Sequence, residues 1–130
     1  MDAPGVGEDT LKASIATTFD VLAWEMELAA ARCIYLDTLV GKMLNLIAEE
    51  RQGEFRESAH TVDLLSQQLT NLSAFTRRMS GNVSADVTAY VHTALSDITL
   101  GALADRMSTA LGGAEKGLND GDGAGDFDLF

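Results

Sequence analysis

Two side chains with complementary chemistry stand four residues apart in Asp63-Leu-Leu-Ser-Gln67. On a helix that spacing puts them one turn apart on the same face. A carboxylate and a carboxamide there can meet a partner, the one pairing with a lysine and the other positioning a water; the plainer reading is an ordinary solvated helix face. Thr70, Asn71 and Ala74 follow on the same side. The flanking stripe Val62, Leu65, Leu69 and Leu72 reads as the buried side, which turns Asp63 and Gln67 outward. With 12 Asp and three Gln in 130 residues, about 0.3 such pairs arise by chance, so the spacing alone has little specificity.

Other residue types offer less. His60 has an acid, Asp63, three residues on, which opposes a phosphoryl group on the imidazole. Glu57 and His60 form one Glu-x-x-His pair, whereas a di-iron bundle needs two pairs and two further glutamates, so no metal site is expected. Cys33 is the single cysteine; it lies in an apolar stripe, reads as a small hydrophobe, and excludes an intramolecular disulfide. No glycine-rich phosphate loop and no Gly-x-Ser-x-Gly occurs. Asn71-Leu-Ser and Asn82-Val-Ser match glycosylation acceptors but sit in expected helices of an intracellular chain.

The elements that carry Asp63 and Gln67 read as helices. Between Glu8 and Leu111 there is no proline and there are only four glycines, which argues against a turn-rich β protein. From Ile15 through Phe19, Leu22, Met26, Ala29, Cys33, Leu36, Val40 and Met43 to Ile47, apolar residues alternate spacings of four and three. This predicts a first helix over about 10–52, with a stripe about 48 Å long. A second apolar row, Leu28, Tyr35, Leu39 and Leu46, predicts packing on two sides. Gly53 is the expected reversal. A second helix then carries Phe55, Val62, Leu65, Leu69, Leu72, Phe75 and Met79, ending at Arg77-Arg78 and Gly81. Asn82 or Ser84 caps a third helix running from Val87 to about Leu111.

The expected fold is therefore all-α: a flexible N-terminus (1–9), a long antiparallel helical hairpin plus third helix (10–111), and a flexible Gly/Asp tail (112–130). Such rods bury little of their own apolar area, so a homodimer is predicted, with a monomeric three-helix bundle as the alternative. The 20 acidic against 9 basic residues, net −11, disfavour nucleic acid and anionic membranes as partners. Seven of those net charges lie in residues 1–10 and 112–130, so the helical body is close to ordinary. A hydrophobic fraction of 46% predicts folding rather than disorder. The absence of an 18-residue apolar run and of a basic n-region predicts a cytoplasmic protein.

In combination these features resemble the CheZ family of chemotaxis phosphatases, most nearly its short CheT relatives. The resemblance rests on Asp63-Leu-Leu-Ser-Gln67 in mid-helix and on the acidic-aromatic tip Asp126-Phe127-Asp128-Leu129-Phe130 behind a Gly/Asp linker. It implies that Gln67 orients water in line with the aspartyl-phosphate of a CheY-type response regulator, while Asp63 pairs with that regulator's lysine. Thr70, Asn71 and the tip residues Asp126 to Phe130 are the implied partner contacts. Mg²⁺ would be supplied by the regulator, leaving this chain with no cofactor of its own. A non-catalytic helical adaptor binding a response regulator or another chemotaxis enzyme is the second reading. An unrelated acidic helical chaperone or secretion factor is the third.

Overall fold

The protein is represented by a computed structural model, which describes residues 11–113. The tip Asp126–Phe130 and most of the linker lie outside the described residues. In chain order the elements are β1 (Lys12–Ser14), α1 (Ile15–Met43), a 3₁₀ turn (Leu44–Leu46), α2 (Glu49–Asn82), β2 (Thr88–Tyr90), α3 (His92–Ser96) and α4 (Gly101–Ala110). The expected all-α class holds, with one two-stranded ribbon added. No helix among the described residues is long and apolar enough to cross a membrane.

The chain divides into two compact units, one made of Leu22–Arg78 and the other of the two chain ends. The first is an antiparallel hairpin of α1 and α2. Its seam is made of small residues at seven-residue spacing: Ala23 and Ala30 on α1, Ser66 and Ser73 on α2, each at most 4% exposed. Small side chains let two helix backbones approach closely. The serines satisfy their own hydroxyls by donating to carbonyls three residues back, Ser66 Oγ to Asp63 O at 2.8 Å and Ser73 Oγ to Thr70 O at 2.9 Å. Each hydroxyl is thereby buried at little cost.

This corrects the expected buried stripe. Leu65 and Leu72 remain 45% and 51% exposed, because the seam is set one residue away, at Ser66 and Ser73. The reversal is also displaced. It falls at Leu44–Ala48 rather than at Gly53, which sits inside α2 with nothing near the position a Cβ would take. The side chain of Gln52 closes the turn instead, donating from Nε2 to the carbonyls of Leu44 (3.3 Å) and Ile47 (3.1 Å). Leu44 O also accepts the 3₁₀ bond from Ile47 N at 3.1 Å, and the Gln52 amide ties that carbonyl to the one of Ile47 beyond the turn.

In the unit formed by the chain ends, β1 and β2 pair antiparallel with Lys12 opposite Tyr90, Ala13 opposite Ala89 and Ser14 opposite Thr88. The Lys12 ammonium lies 5.2 Å from the Tyr90 ring centroid. Ser14 ends the strand and caps α1, its Oγ accepting from Thr17 N at 2.9 Å. Ala13, Val91 and Leu111 form the buried centre, with Leu11, Val21 and Leu95 packed against it. The single third helix expected over 87–111 is thus replaced by a strand and two shorter helices. Val87-Thr-Ala-Tyr-Val91 is rich in β-branched and aromatic residues, and that preference prevails where a strand partner is present. At the far end α4 closes on Gly112, whose φ of 99° is open to glycine and costly for other residues.

Candidate functional site

The site is built on α2. Ala59, Ser66 and Ser73 recur every seven residues along the seam side, all at least partly buried. A residue four further along turns about 40° to one side of such a row, which places Asp63, Thr70 and Arg77 along one flank of the hairpin. Gln67 stands about 100° round from Ser66 on the same side, with Ala74 one heptad later. Asp63, Gln67, Thr70, Asn71 and Ala74 are all exposed.

Within this row Gln67 Nε2 donates to Asp63 Oδ2 at 2.8 Å. An i, i+4 contact of this type contributes only about 0.2–0.5 kcal/mol to helix stability. Its value is orientational: the carboxylate fixes one amide N–H, which directs the amide plane. A carboxamide so held still has a carbonyl acceptor and a second N–H, and the carboxylate has further lone pairs. Two adjacent groups of opposite hydrogen-bonding sense are thus presented together to solvent.

Two turns and more beyond, Arg77 forms a fork with Glu27 of α1. Nε reaches Oε2 and Nη2 reaches Oε1, both at 2.8 Å. The Arg77 hydrogen bonds hold the Glu27 carboxyl below its ordinary range. Burial opposes them as the next-largest effect, Arg77's charge adds to the lowering, and the Ser73 hydroxyl contributes least. Glu27 itself stands four residues after Ala23, so the corresponding flanks of the two helices lie on one side of the hairpin.

The sequence reading missed this ion pair. Its signal was present in the register, since Glu27 and Arg77 each follow a small residue, Ala23 and Ser73, by four. It also missed a cavity of about 160 Å³ in the chain-end unit, lined by His92, Leu95, Ser96, Ile98, Ala104, Asp105 and Ser108. Asp105 is buried there at 5% exposure. None of the candidate site residues expected from sequence lines that cavity. His60 and Glu57 are exposed on α2, Cys33 is half-buried, and among the described residues no three His, Cys, Asp or Glu come together as a metal site.

An exposed Asp–Gln pair on a small-residue helical hairpin defines an all-α protein whose polar chemistry is presented to solvent. The chain belongs to the family described as Domain of unknown function (DUF8776), whose model matches residues 13–130. Neither the curated proteins nor the solved structures give a match.

Proposed function

We propose that the protein accelerates hydrolysis of the aspartyl-phosphate on a CheY-type response regulator, with Gln67 as the water-orienting group and Asp63 as the group that fixes the approach. The observation that carries this reading is the exposed Gln67–Asp63 pair held by the 2.8 Å hydrogen bond in the middle of α2. An amide on a rigid helix is a suitable device for ordering a water, because its donor and acceptor are held at a fixed separation.

In this reading the regulator's lysine pairs with Asp63, and the Gln67 carboxamide enters beside the acyl phosphate. The water oxygen attacks phosphorus and the bond from phosphorus to the aspartyl oxygen breaks. The electron pair leaves on the aspartate, now a free carboxylate, and inorganic phosphate departs with the water's oxygen. The metal that neutralises the phosphoryl oxygens is the regulator's own Mg²⁺. Thr70 and Asn71 border the contact, and the tip Asp126–Phe130 supplies a second, tethered one that raises the local concentration of the partner. The setting is the cytoplasm, where such regulators act.

A specific observation favours the alternative of a binding protein without catalysis. Trp24, Ile34 and Tyr35 of α1 are each more than half exposed. Aromatic side chains of this kind anchor protein interfaces and bind without any need for Gln67.

The experiment that separates the two is the decay of a phosphorylated cognate regulator with and without the protein. Acceleration lost in Gln67→Ala, with binding retained, supports the phosphatase. Unchanged decay at saturating protein leaves the adaptor.

A further inference from the structure

The turn of the hairpin fixes the register of its two helices. Gln52 Nε2 donates to the carbonyl of Leu44, so these two residues stand level across the hairpin. Both helices rise by the same amount per residue. Fourteen residues back from Leu44 is Ala30 and fourteen on from Gln52 is Ser66; seven more in each direction give Ala23 and Ser73. Those four are the buried residues of the seam, so the register holds along the unit. Eleven residues on from Gln52 is Asp63, which therefore stands level with Cys33 and beside Ile34. Ile34 follows Ala30 by four, as Glu27 follows Ala23, and so lies in the row of the Glu27–Arg77 flank; Tyr35 stands next to it, further round the same side. The Asp63–Gln67 pair thus shares its side and its level with two large side chains of α1, Ile34 at 56% and Tyr35 at 52% exposure.

We propose that Ile34 and Tyr35 form the α1 half of the lysine-accepting contact, the aliphatic stem of the partner's lysine lying along them while its ammonium reaches Asp63. The inference rests on the reading that a regulator brings a lysine to Asp63, and it adds the surface that makes such a contact effective. Three considerations support it. The first is magnitude: an ion pair left in water contributes little, because solvent and salt screen it. Apolar side chains beside the carboxylate exclude water from the contact and strengthen the attraction. The second is the shape of lysine, a hydrocarbon stem with a charged head, which matches an apolar wall next to a single acid. The third is charge. On this flank Leu28, Ala31, Ile34, Tyr35 and Thr38 of α1 are all uncharged, and so are the positions of α2 from Gln67 to Ala74. Asp63 is the charge at the edge of that stretch, with the seam-row acid Asp37 adding the same sign nearby.

The test is a binding titration of the full chain against a phosphorylated CheY-type regulator, run beside the decay assay. The double variant Ile34→Ala, Tyr35→Ala should raise Kd at least tenfold, while the decay rate at saturating protein stays within twofold of the unmodified chain. Gln67→Ala should give the opposite split. Leu46→Ala, which removes an 83% exposed leucine at the turn, should leave Kd within twofold. Against a regulator whose active-site lysine is replaced by alanine, the double variant should lose less than threefold, since the stem it contacts is gone. Should the double variant lose its helical circular dichroism, Tyr35→Ala alone should still raise Kd at least threefold. Weaker binding by these variants, with no acceleration of decay by the unmodified protein, would end the phosphatase reading and uphold this contact. Accelerated decay with Kd unmoved by the α1 changes would do the reverse. A loss that is the same with and without the regulator's lysine also overturns the inference, and a chain that binds no regulator overturns both.

Discussion

Gln67 Nε2 donates to Asp63 Oδ2 at 2.8 Å, so the two groups proposed to act on a partner are already hydrogen-bonded to each other. The pair costs no backbone distortion, because four residues bring them one turn apart on a continuous helix. It also limits the rotamers of two exposed side chains that would otherwise lose that freedom on binding. The predictions that follow separate this local effect from the packing that supports it.

Gln67→Ala removes the amide without altering the seam at Ser66. On the proposed function, regulator dephosphorylation should fall by about 10²-fold, the scale of losing a positioned reactant. Regulator affinity should change less than fivefold, and a stopped-flow decay assay alongside a binding titration reads both. Decay unaffected by the change would place the water-orienting role elsewhere.

Asp63→Ala removes the acceptor for Gln67 and the anion for the partner's lysine together. Affinity should weaken by about tenfold, the cost of one charge-assisted contact of roughly 1.4 kcal/mol. Asp63→Asn keeps the shape and an acceptor for Gln67 while losing the charge. It should therefore bind as weakly as the alanine variant but retain more turnover once bound. Equal turnover in the two variants at saturation would remove the orienting role of the 2.8 Å bond.

Glu27 is held below its ordinary pKa of 4.5 mainly by its Arg77 hydrogen bonds, so its stabilising effect has a defined pH window. A depressed carboxyl pKa means that the folded state binds the proton less readily than the unfolded chain. The contribution is fully present above about pH 5 and disappears as pH falls through the lowered value. At pH 7 Glu27→Gln should cost about 0.5–1 kcal/mol, the range for an exposed but bidentate pair. The difference between wild type and variant should close in urea titrations as pH falls through that lowered value. A gap independent of pH would assign the loss to packing.

Ala23 is fully buried, at 0% exposure, in the seam. Ala23→Leu should therefore cost about 1–3 kcal/mol by overpacking and lower the melting temperature by several degrees or more. Ser73→Ala, which keeps the small volume and loses only a bond to Thr70 O, should stay within about 1 kcal/mol. If Leu were tolerated at 23 as well as Ala is at 73, the helices would not be in close contact along this row.

Gly53 lies inside α2 with open space where a Cβ would stand. Gly53→Ala should raise stability by about 0.5–1 kcal/mol, since alanine loses less backbone entropy on entering a helix. Thermal unfolding by circular dichroism checks it. No gain, or a loss, would return Gly53 to the turn that its identity first implied.

How much of this was legible in sequence varies by element. The long apolar periodicities of 15–47 and 55–79 located both hairpin helices, because a 3.6-residue repeat sustained over many turns has no competing explanation. The one-turn spacing of Asp63 and Gln67 on one face was legible for the same reason, and Asp63, Gln67, Thr70, Asn71 and Ala74 are exposed, although the stripe from which their outward position was argued is displaced by the seam at Ser66 and Ser73. The turn was misplaced. Glycine at 53 is a permissive residue rather than an instruction, and the chain reverses where Gln52 can reach the ends of α1 and the 3₁₀ turn. The β1–β2 ribbon was invisible because its two strands are three residues each and more than 70 residues apart.

The sequence by itself determined the helical class, the two long helices and the placing of Asp63 and Gln67 on one helix face, since each follows from local periodicity. Only the tertiary structure decided which stripe becomes the seam. Apolar pattern pointed to the leucines, yet the closest approach belongs to Ala23, Ala30, Ser66 and Ser73, because the distance between helix axes is set by the smallest side chains between them. That choice leaves Leu65 and Leu72 exposed and brings Glu27 within reach of Arg77. Neither outcome is a property of one helix; both arise from how two helices share a single line of contact.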